Sequence, residues 1–277
     1  MAFSVNTNPG AMFALQNLNK TNSSLSTVQD RINTGLKVAS AKDNAAIFAI
    51  AQGQRSEVAA LNSVKSSLDR ATSAIDVGIA AAEAVSDLLI QMKEKAAAAA
   101  DPGASSDSRT KLNDEFTELV TQINTIVDNA EFNGVNVVNN GQDIQTLISI
   151  PDGTKTAGEF ALTITKADLT AGGLSLSNST ISSAGTASTA LAAIATAETT
   201  VNGFLSKLGA GAKRIDIQRD FTSKLSDAIE TGIGNLVDAD LALESAKLQS
   251  LQVKQQLGLQ ALSIANQAPG SVLSLFR

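Results

Sequence analysis

Apolar residues recur along this chain at alternating steps of three and four, the spacing of helices that pack along one narrow stripe. From Ala11 the stripe runs Ala14, Leu18, Thr21, Leu25, Val28 and Ile32. It breaks around Thr34-Gly35 and Ser40-Ala41, which predicts a connector. A longer stripe follows: Leu61, Val64, Leu68, Ala71, Ile75, Gly78, Ala82, Val85, Leu89, Met92 and Ala96. A helix from near Asp43 to Ala100 would be on the order of 85 Å long. Asp101-Pro102-Gly103 stops it and permits reversal. The third stripe is Leu112, Phe116, Leu119, Ile123, Ile126 and Ala130, ending before the Asn133-Gly134 turn signal. The fourth is Leu191, Ile194, Val201, Leu205, Leu208, Ala212 and Ile215, continued by Thr222 and Ile229. Helices with stripes this narrow are marginal alone, so they must pack as a bundle.

The prolines agree. They stand at 9, 102, 151 and 269, leaving two long proline-free stretches. Residues 131–186 break the helical pattern, with Asn and Gly clusters and two short apolar runs on either side of Pro151-Asp152-Gly153. Ile144 to Ile150 and Glu159 to Thr165 read as a β-hairpin, and Gly172 to Ala187, rich in Ser, Thr and Gly, as surface loops. The last helical segment, 236–268, carries two apolar stripes: Leu248, Leu251, Leu259 and Leu262 on one, Val253, Leu257 and Ile264 on the other. A monomer's surface helix needs one, so this helix is expected to be covered on more than one side. The expected fold is mainly α: a long antiparallel helical bundle or coiled coil with a small β-hairpin subregion and paired N- and C-terminal helices. Its expected divisions are 1–42, an N-terminal inner-core helix and connector; 43–130, bundle helices; 131–186, hairpin and surface loops; 187–232, a bundle helix; and 233–277, a C-terminal inner-core helix.

Charge singles out the ends. The first forty positions carry only Lys20, Asp30, Arg31 and Lys37, and residues 236–277 carry six charges, whereas residues 41–130 carry 21. Termini normally fray into water unless something ties them down. These should bury against each other, against other copies, or both.

Composition removes most chemistry. The 277 residues include no Cys, Trp, Tyr or His and only nine Phe. Without His or Cys there is no imidazole base, no thiolate nucleophile and no Zn site of the common N/S type. The 27 carboxylates fit the solvated faces of amphipathic helices. No P-loop or dinucleotide-binding glycine pattern falls between a strand and a helix. No enzyme activity and no cofactor or metal are expected. A net charge of -6 with few aromatics argues against nucleic-acid binding. No apolar run approaches the roughly 20 residues of a membrane span, so no membrane insertion is expected. The N-terminus carries no Sec-type signal pattern.

The terminal motifs carry a resemblance. Val5-Asn6-Thr7-Asn8 is followed by Arg31-Ile32-Asn33-Thr34-Gly35-Leu36-Lys37-Val38-Ala39-Ser40-Ala41-Lys42-Asp43-Asn44-Ala45-Ala46. At the other end stand Asp238-Ala239-Asp240, Ala265-Asn266-Gln267-Ala268-Pro269 and Val272-Leu273-Ser274-Leu275-Phe276-Arg277. With Phe132-Asn133-Gly134, these resemble bacterial flagellin, the subunit of the flagellar filament. The resemblance implies an extracellular subunit, exported unfolded through the flagellum's own channel without a cleaved signal, that polymerises for swimming motility. It implies terminal segments paired as a coiled coil at the filament core, and the lack of Cys suits threading. A helical polymer also needs non-closing contacts between two different surfaces of each copy. The expected polymerisation interface is Leu18, Leu25, Val28, Ile32, Leu248, Leu251, Val253, Leu257, Leu262, Ile264, Val272, Leu273, Leu275 and Phe276. A free subunit should leave its ends disordered, so that assembly is coupled to folding. Implied partners are other copies, sibling flagellins, hook-associated and cap proteins, and an export chaperone. A hook-filament junction protein of the same appendage and a non-flagellar coiled-coil scaffold are the alternatives.

One departure concerns immune recognition. Flagellins detected by the Toll-like flagellin receptor resemble one another at an Arg followed two positions later by Arg-Glu-Leu. Here the stretch reads Gln91-Met92-Lys93-Glu94-Lys95, with Gln for the first Arg and Lys for the Leu, so weak or absent recognition is expected. Candidate O-glycosylation positions, as in relatives, are Ser175, Ser177, Ser179, Thr180, Ser182 and Ser183. The sequons Asn22-Ser23-Ser24 and Asn178-Ser179-Thr180 are present but weak signals.

Overall fold

The computed structural model describes residues 7–150 and 160–273, with side-chain surroundings up to residue 267. Among them are five helices and one two-stranded sheet: α1 (Pro9–Thr34), α2 (Ala45–Ala100), α3 (Ser106–Asn129), β1 (Ile144–Leu147), β2 (Ala161–Ile164), α4 (Ala184–Val237) and α5 (Leu241–Leu273). The chain divides into two compact units. One is drawn from residues up to Val58 and from Ala228 onward, the other from Ala59 to Asp227.

Each helix starts on a residue suited to the task. Asn8 accepts from the Ala11 amide at 3.1 Å, and Pro9 follows where a missing N–H costs nothing. Asn44 caps α2 through the Ala46 and Ile47 amides, Ser105 caps α3, and Asp240 caps α5 through the Ala242 and Leu243 amides. Gly35 ends α1 at φ 72°, a left-handed conformation that glycine adopts without strain.

In the 59–227 unit, every position of the second stripe from Leu61 to Ala96 is buried. It packs with Phe116, Ile123 and Val127 of α3 and Ile194, Val201, Phe204, Leu208 and Ile215 of α4 into one core. Asn133 and Gly134, at φ 51° and 79°, turn the chain between the paired Phe132 and Val135, as the primed turns of tight hairpins require. β1 and β2 pair antiparallel, Ile144 opposite Ile164 and Leu147 opposite Ala161. The predicted turn at 151–159 lies outside the described residues. The buried Ser67 hydroxyl fixes the hairpin to α2, 3.2 Å from Thr146 Oγ1 and accepting from the Leu147 amide at 3.1 Å.

Three expectations need correction. The stretch after β2 is not a set of surface loops: Leu169, Ala171, Leu174, Leu176 and Ile181 are all buried. Two polar residues of α3 hold it there, Asn124 accepting from the Ala171 amide and Asn113 from the Ile181 amide, each at 2.9 Å. The break between the last two helices falls at residues 238–240, not at 232, because the backbone of α4 continues unbroken to Val237. Finally, α5 runs through Pro269 to Leu273; proline has no N–H to give the Ala265 carbonyl four residues back, and that carbonyl instead accepts from the Asn8 side chain at 2.6 Å.

Candidate assembly surface

The site of interest is the pair formed by α1 and α5. The helices run antiparallel. Near one end the Asn8 amide nitrogen donates to the Ala265 carbonyl at 2.6 Å, midway Gln255 donates to Asn22 at 2.8 Å, and near the other Arg31 Nη1 stands 3.5 Å from Glu244 Oε1. The turn past Gly35 closes that end, with Leu36 bridged to Asp238 and the Ala239 amide donating to the Gly35 carbonyl at 2.8 Å. Beneath the connector, Val38, Ala51, Ile233 and Val237 form a small core of their own. Asp43 Oδ2 gathers the Ala39 and Ser40 amides and the Ser40 hydroxyl at 2.9–3.1 Å. Those hydrogen bonds, led by the Ser40 amide, hold its carboxyl below the usual carboxylate range.

Within the single chain, covered positions on α1 are Ala11, Ala14, Leu18, Thr21, Ser24, Leu25, Val28, Arg31 and Ile32, with Leu18 and Val28 buried. Those covered on α5 are Glu244, Leu248, Leu251, Gln255, Gly258, Leu262 and Ala265, a heptad seam of the same spacing. Leu259 does not belong to it. It is exposed, and its expected place is taken by Gly258, whose missing side chain admits Leu18. Glu244 was invisible as a seam residue because its charge marks it as a surface position, yet its side chain is only 6% exposed. Lys247 Nζ at 2.7 Å and Arg31 balance its charge. Counting back four from Leu248 would have found it.

What the pair leaves uncovered is equally apolar. Phe13 is 68% exposed, Leu257 58% and Ile264 70%, alongside Met12, Leu15, Val253 and Leu259. The expected interface therefore splits: Leu18, Leu25, Val28, Ile32, Leu248, Leu251 and Leu262 meet within one chain, while Val253, Leu257 and Ile264 point away from it. Val272 and Leu273 lie in the last turn of α5, and Leu275 and Phe276 lie outside the described residues. Two helices that consume one apolar stripe on each other and present a second fit a subunit that buries the rest against further copies.

Comparison with known proteins gives this arrangement its context. The family model for the bacterial flagellin N-terminal helical region matches residues 5–143, and that for the C-terminal helical region matches residues 191–276. The chain belongs to the bacterial flagellin family. It is 49% identical to flagellin FljK of Caulobacter vibrioides, over 99% of this chain and 98% of that one. It is 37% identical to a flagellin of Brucella melitensis, over 99% of each. A solved structure of a flagellar hook-associated protein from Vibrio parahaemolyticus shares the fold at TM-score 0.54 and 12% identity, covering 71% of this chain and all of that one. This flagellin is thus a structural subunit, not an enzyme. It polymerises into the extracellular filament. Among its described residues no helix is long and apolar enough to cross a membrane.

The glycosylation candidates differ in availability. Ser175, Ser177, Thr180 and Ser182 are exposed, and Ser179 is half-buried. Ser183 is occupied at the start of α4, its hydroxyl accepting from the Thr186 amide while Thr186 Oγ1 accepts from the Ser183 amide. Asn22 of the first sequon is engaged with Gln255. In the receptor-motif stretch Met92 is buried, Lys93 pairs with Glu198 at 2.8 Å and Lys95 with Glu115 at 2.6 Å. Glu115 raises the Lys95 pKa above its usual value, first by its hydrogen bond and then by its charge.

Proposed function

We propose that filament growth uses two apolar surfaces of the terminal pair in different ways. The inner seam, Leu18, Leu25, Val28 and Ile32 with Leu248, Leu251 and Leu262, holds one chain's ends together. The outer face, Phe13, Val253, Leu257 and Ile264, meets neighbouring copies, and the apolar Val272, Leu273, Leu275 and Phe276 of the sequence are assigned to the same contact between copies. The observation that carries this reading is the second apolar face left exposed on helices already paired. Terminal segments low in charge would then order fully only within the polymer.

The same exposed face is the natural contact for the other components of the appendage: sibling flagellins, hook-associated and cap proteins in the assembled organelle, and an export chaperone before secretion. Sugar on surface hydroxyls is best accommodated at Ser175, Ser177, Thr180 and Ser182. Lys93 and Lys95, each committed to a carboxylate within its own chain, support weak or absent Toll-like receptor recognition.

The test is Leu257→Asp in the full chain. Because Leu257 is 58% exposed, the subunit should fold with unchanged helicity by circular dichroism. Electron microscopy should show no filaments. Normal filament yield from this variant would sink the assignment of the outer face.

A further inference from the structure

The unit formed by residues 59–227 carries two surface features that the terminal pair does not explain. The first is a knob on α4. Ile217 and Phe221, one turn apart, are 61% and 57% exposed. Single exposed apolar residues are ordinary, but two on adjacent turns form a patch. Lys213, Arg214 and Lys224 stand one turn away on the same face and are exposed, with Asp220 the one carboxylate among them. The second feature is an open groove of about 470 Å³ between α2 and α3, floored by Val77, Ala80, Ala81, Ile126 and Ala130. Small alanines make it a shallow depression, widely open to solvent and edged by Gln122, Thr125 and Asn129, which suits a protruding side chain rather than an enclosed ligand. Asp76 and Glu83 lie on the α2 face that carries Ala80, and Glu118 lies one turn before the groove's Gln122 on α3; all three are exposed.

We propose that the Ile217–Phe221 knob of one copy seats in the Val77–Ala81–Ile126 groove of the next copy of this chain. Three arguments favour a second copy as the occupant. An apolar knob with a cationic flank matches an apolar groove with an anionic rim, so the two surfaces complement each other in both shape and charge. Both belong to one chain but to different elements, so the contact is heterologous and propagates, as a helical polymer demands. Burying one aromatic covers about 150–250 Å², which places Phe221 at the centre of the contact and the charges at its rim. The proposal rests on the reading that this chain polymerises. It concerns a different surface from the terminal helices.

The absence of cysteine makes the test direct. Lys224→Cys and Glu83→Cys, combined in the full chain, place one thiol beside the knob and one beside the groove without touching the apolar contact. Filaments of this double variant, treated with a short bismaleimide and run on a denaturing gel, should give a ladder of covalent multimers, whereas each single-Cys variant should give none beyond a dimer. Filaments that form but yield no more multimers than the single variants would overturn the proposal. Charge reversal supplies a second measurement. Lys213→Glu with Lys224→Glu should raise the critical concentration for assembly by about tenfold or more, since like charges then meet across the contact. Adding Asp76→Lys and Glu83→Lys to that chain should bring it back to within about twofold. A four-fold variant that assembles no better than the knob variant alone would count against the contact. Normal assembly of Leu257→Asp alongside a clear ladder would instead remove the terminal-face reading and leave this one standing.

Discussion

Gly211, buried in α4, offers a sharp test of how tightly the hairpin is packed on the bundle. A Cβ added there would lie 2.8 Å from Ile164 Cδ1 and 3.2 Å from Cγ1. Two opposed effects follow from Gly211→Ala. In an exposed helix interior the change removes backbone entropy from the unfolded chain and gains about 0.5–1 kcal/mol. Against it stands the overlap. Ile164 is buried and β-branched, so it cannot swing aside freely, and overpacking of this kind costs about 1–3 kcal/mol. The overlap should win or break even, giving a net loss of between zero and about 2.5 kcal/mol. The same helix supplies its own controls: Gly203 and Gly209 are exposed, and added Cβ atoms there meet nothing within 4 Å. Gly203→Ala and Gly209→Ala should each stabilise by about 0.5–1 kcal/mol.

The assay is urea unfolding followed by helicity, comparing midpoints of the four chains under one condition. Ile164→Val removes the methyl that the new Cβ meets. Alone it should cost about 0.5–1.5 kcal/mol. In the Gly211→Ala background it should cost less, or nothing, because the two changes share one contact. If Gly211→Ala stabilised as much as Gly209→Ala, or if the Ile164→Val effect were the same in both backgrounds, the close approach of β2 to α4 would be refuted.

Two further outcomes are expected. Asp43 has a folded pKa below its ordinary 3.8. Its support of the connector is therefore complete above that value and disappears as the pH falls through the lower folded one; Ala39 and Ser40 amide protection, read by nuclear magnetic resonance, should follow that course in the native chain and not in Asp43→Ala, and a carboxyl titrating at or above 3.8 would contradict it. In a Toll-like receptor reporter assay the native chain should give little response and Gln91→Arg with Lys93→Arg and Lys95→Leu a stronger one; a potent native response would refute the reading of that stretch.

Much of the fold is legible because one rule governs most of the chain. From Leu61 to Ala96 an apolar residue returns every three or four positions with charges kept to other faces, and all of those apolar positions are buried. Turns are equally readable, as Gly35 and Asn133-Gly134 show, because their chemistry is local. What escapes is whatever depends on a distant partner. The Ser- and Thr-rich stretch around Leu174 and Leu176 has loop composition. Its burial depends on Asn124 and Asn113, polar residues whose amide oxygens accept from backbone 47 and 68 positions away. No periodicity announces such a bond. Part of the assembly surface escapes for the opposite reason. The outer residues of α1 and α5 are as apolar as the inner ones, and hydropathy alone cannot say which stripe the chain reserves for itself.

The polar members of the inner seam explain how that choice is fixed. An apolar heptad seam is degenerate, since sliding one helix by seven residues again sets apolar residues opposite apolar residues. Here a slide would separate Glu244 from Arg31, leave the Asn8 amide without the Ala265 carbonyl, and part Asn22 from Gln255. It would also move Gly258 off Leu18, so that a larger side chain met the leucine where only a hydrogen now does. Glu244 would keep Lys247 on its own helix but lose the cation that comes from α1. The Asn8 and Asn22 hydrogen bonds each add little alone, about 0.5–1.5 kcal/mol, whereas separating the buried Glu244 from Arg31 costs more than breaking a surface pair would. Together they penalise every register but one. The seam thus specifies alignment with polar contacts, while the outer face, with Leu257 and Ile264 exposed, is left almost free of charge and available to other copies.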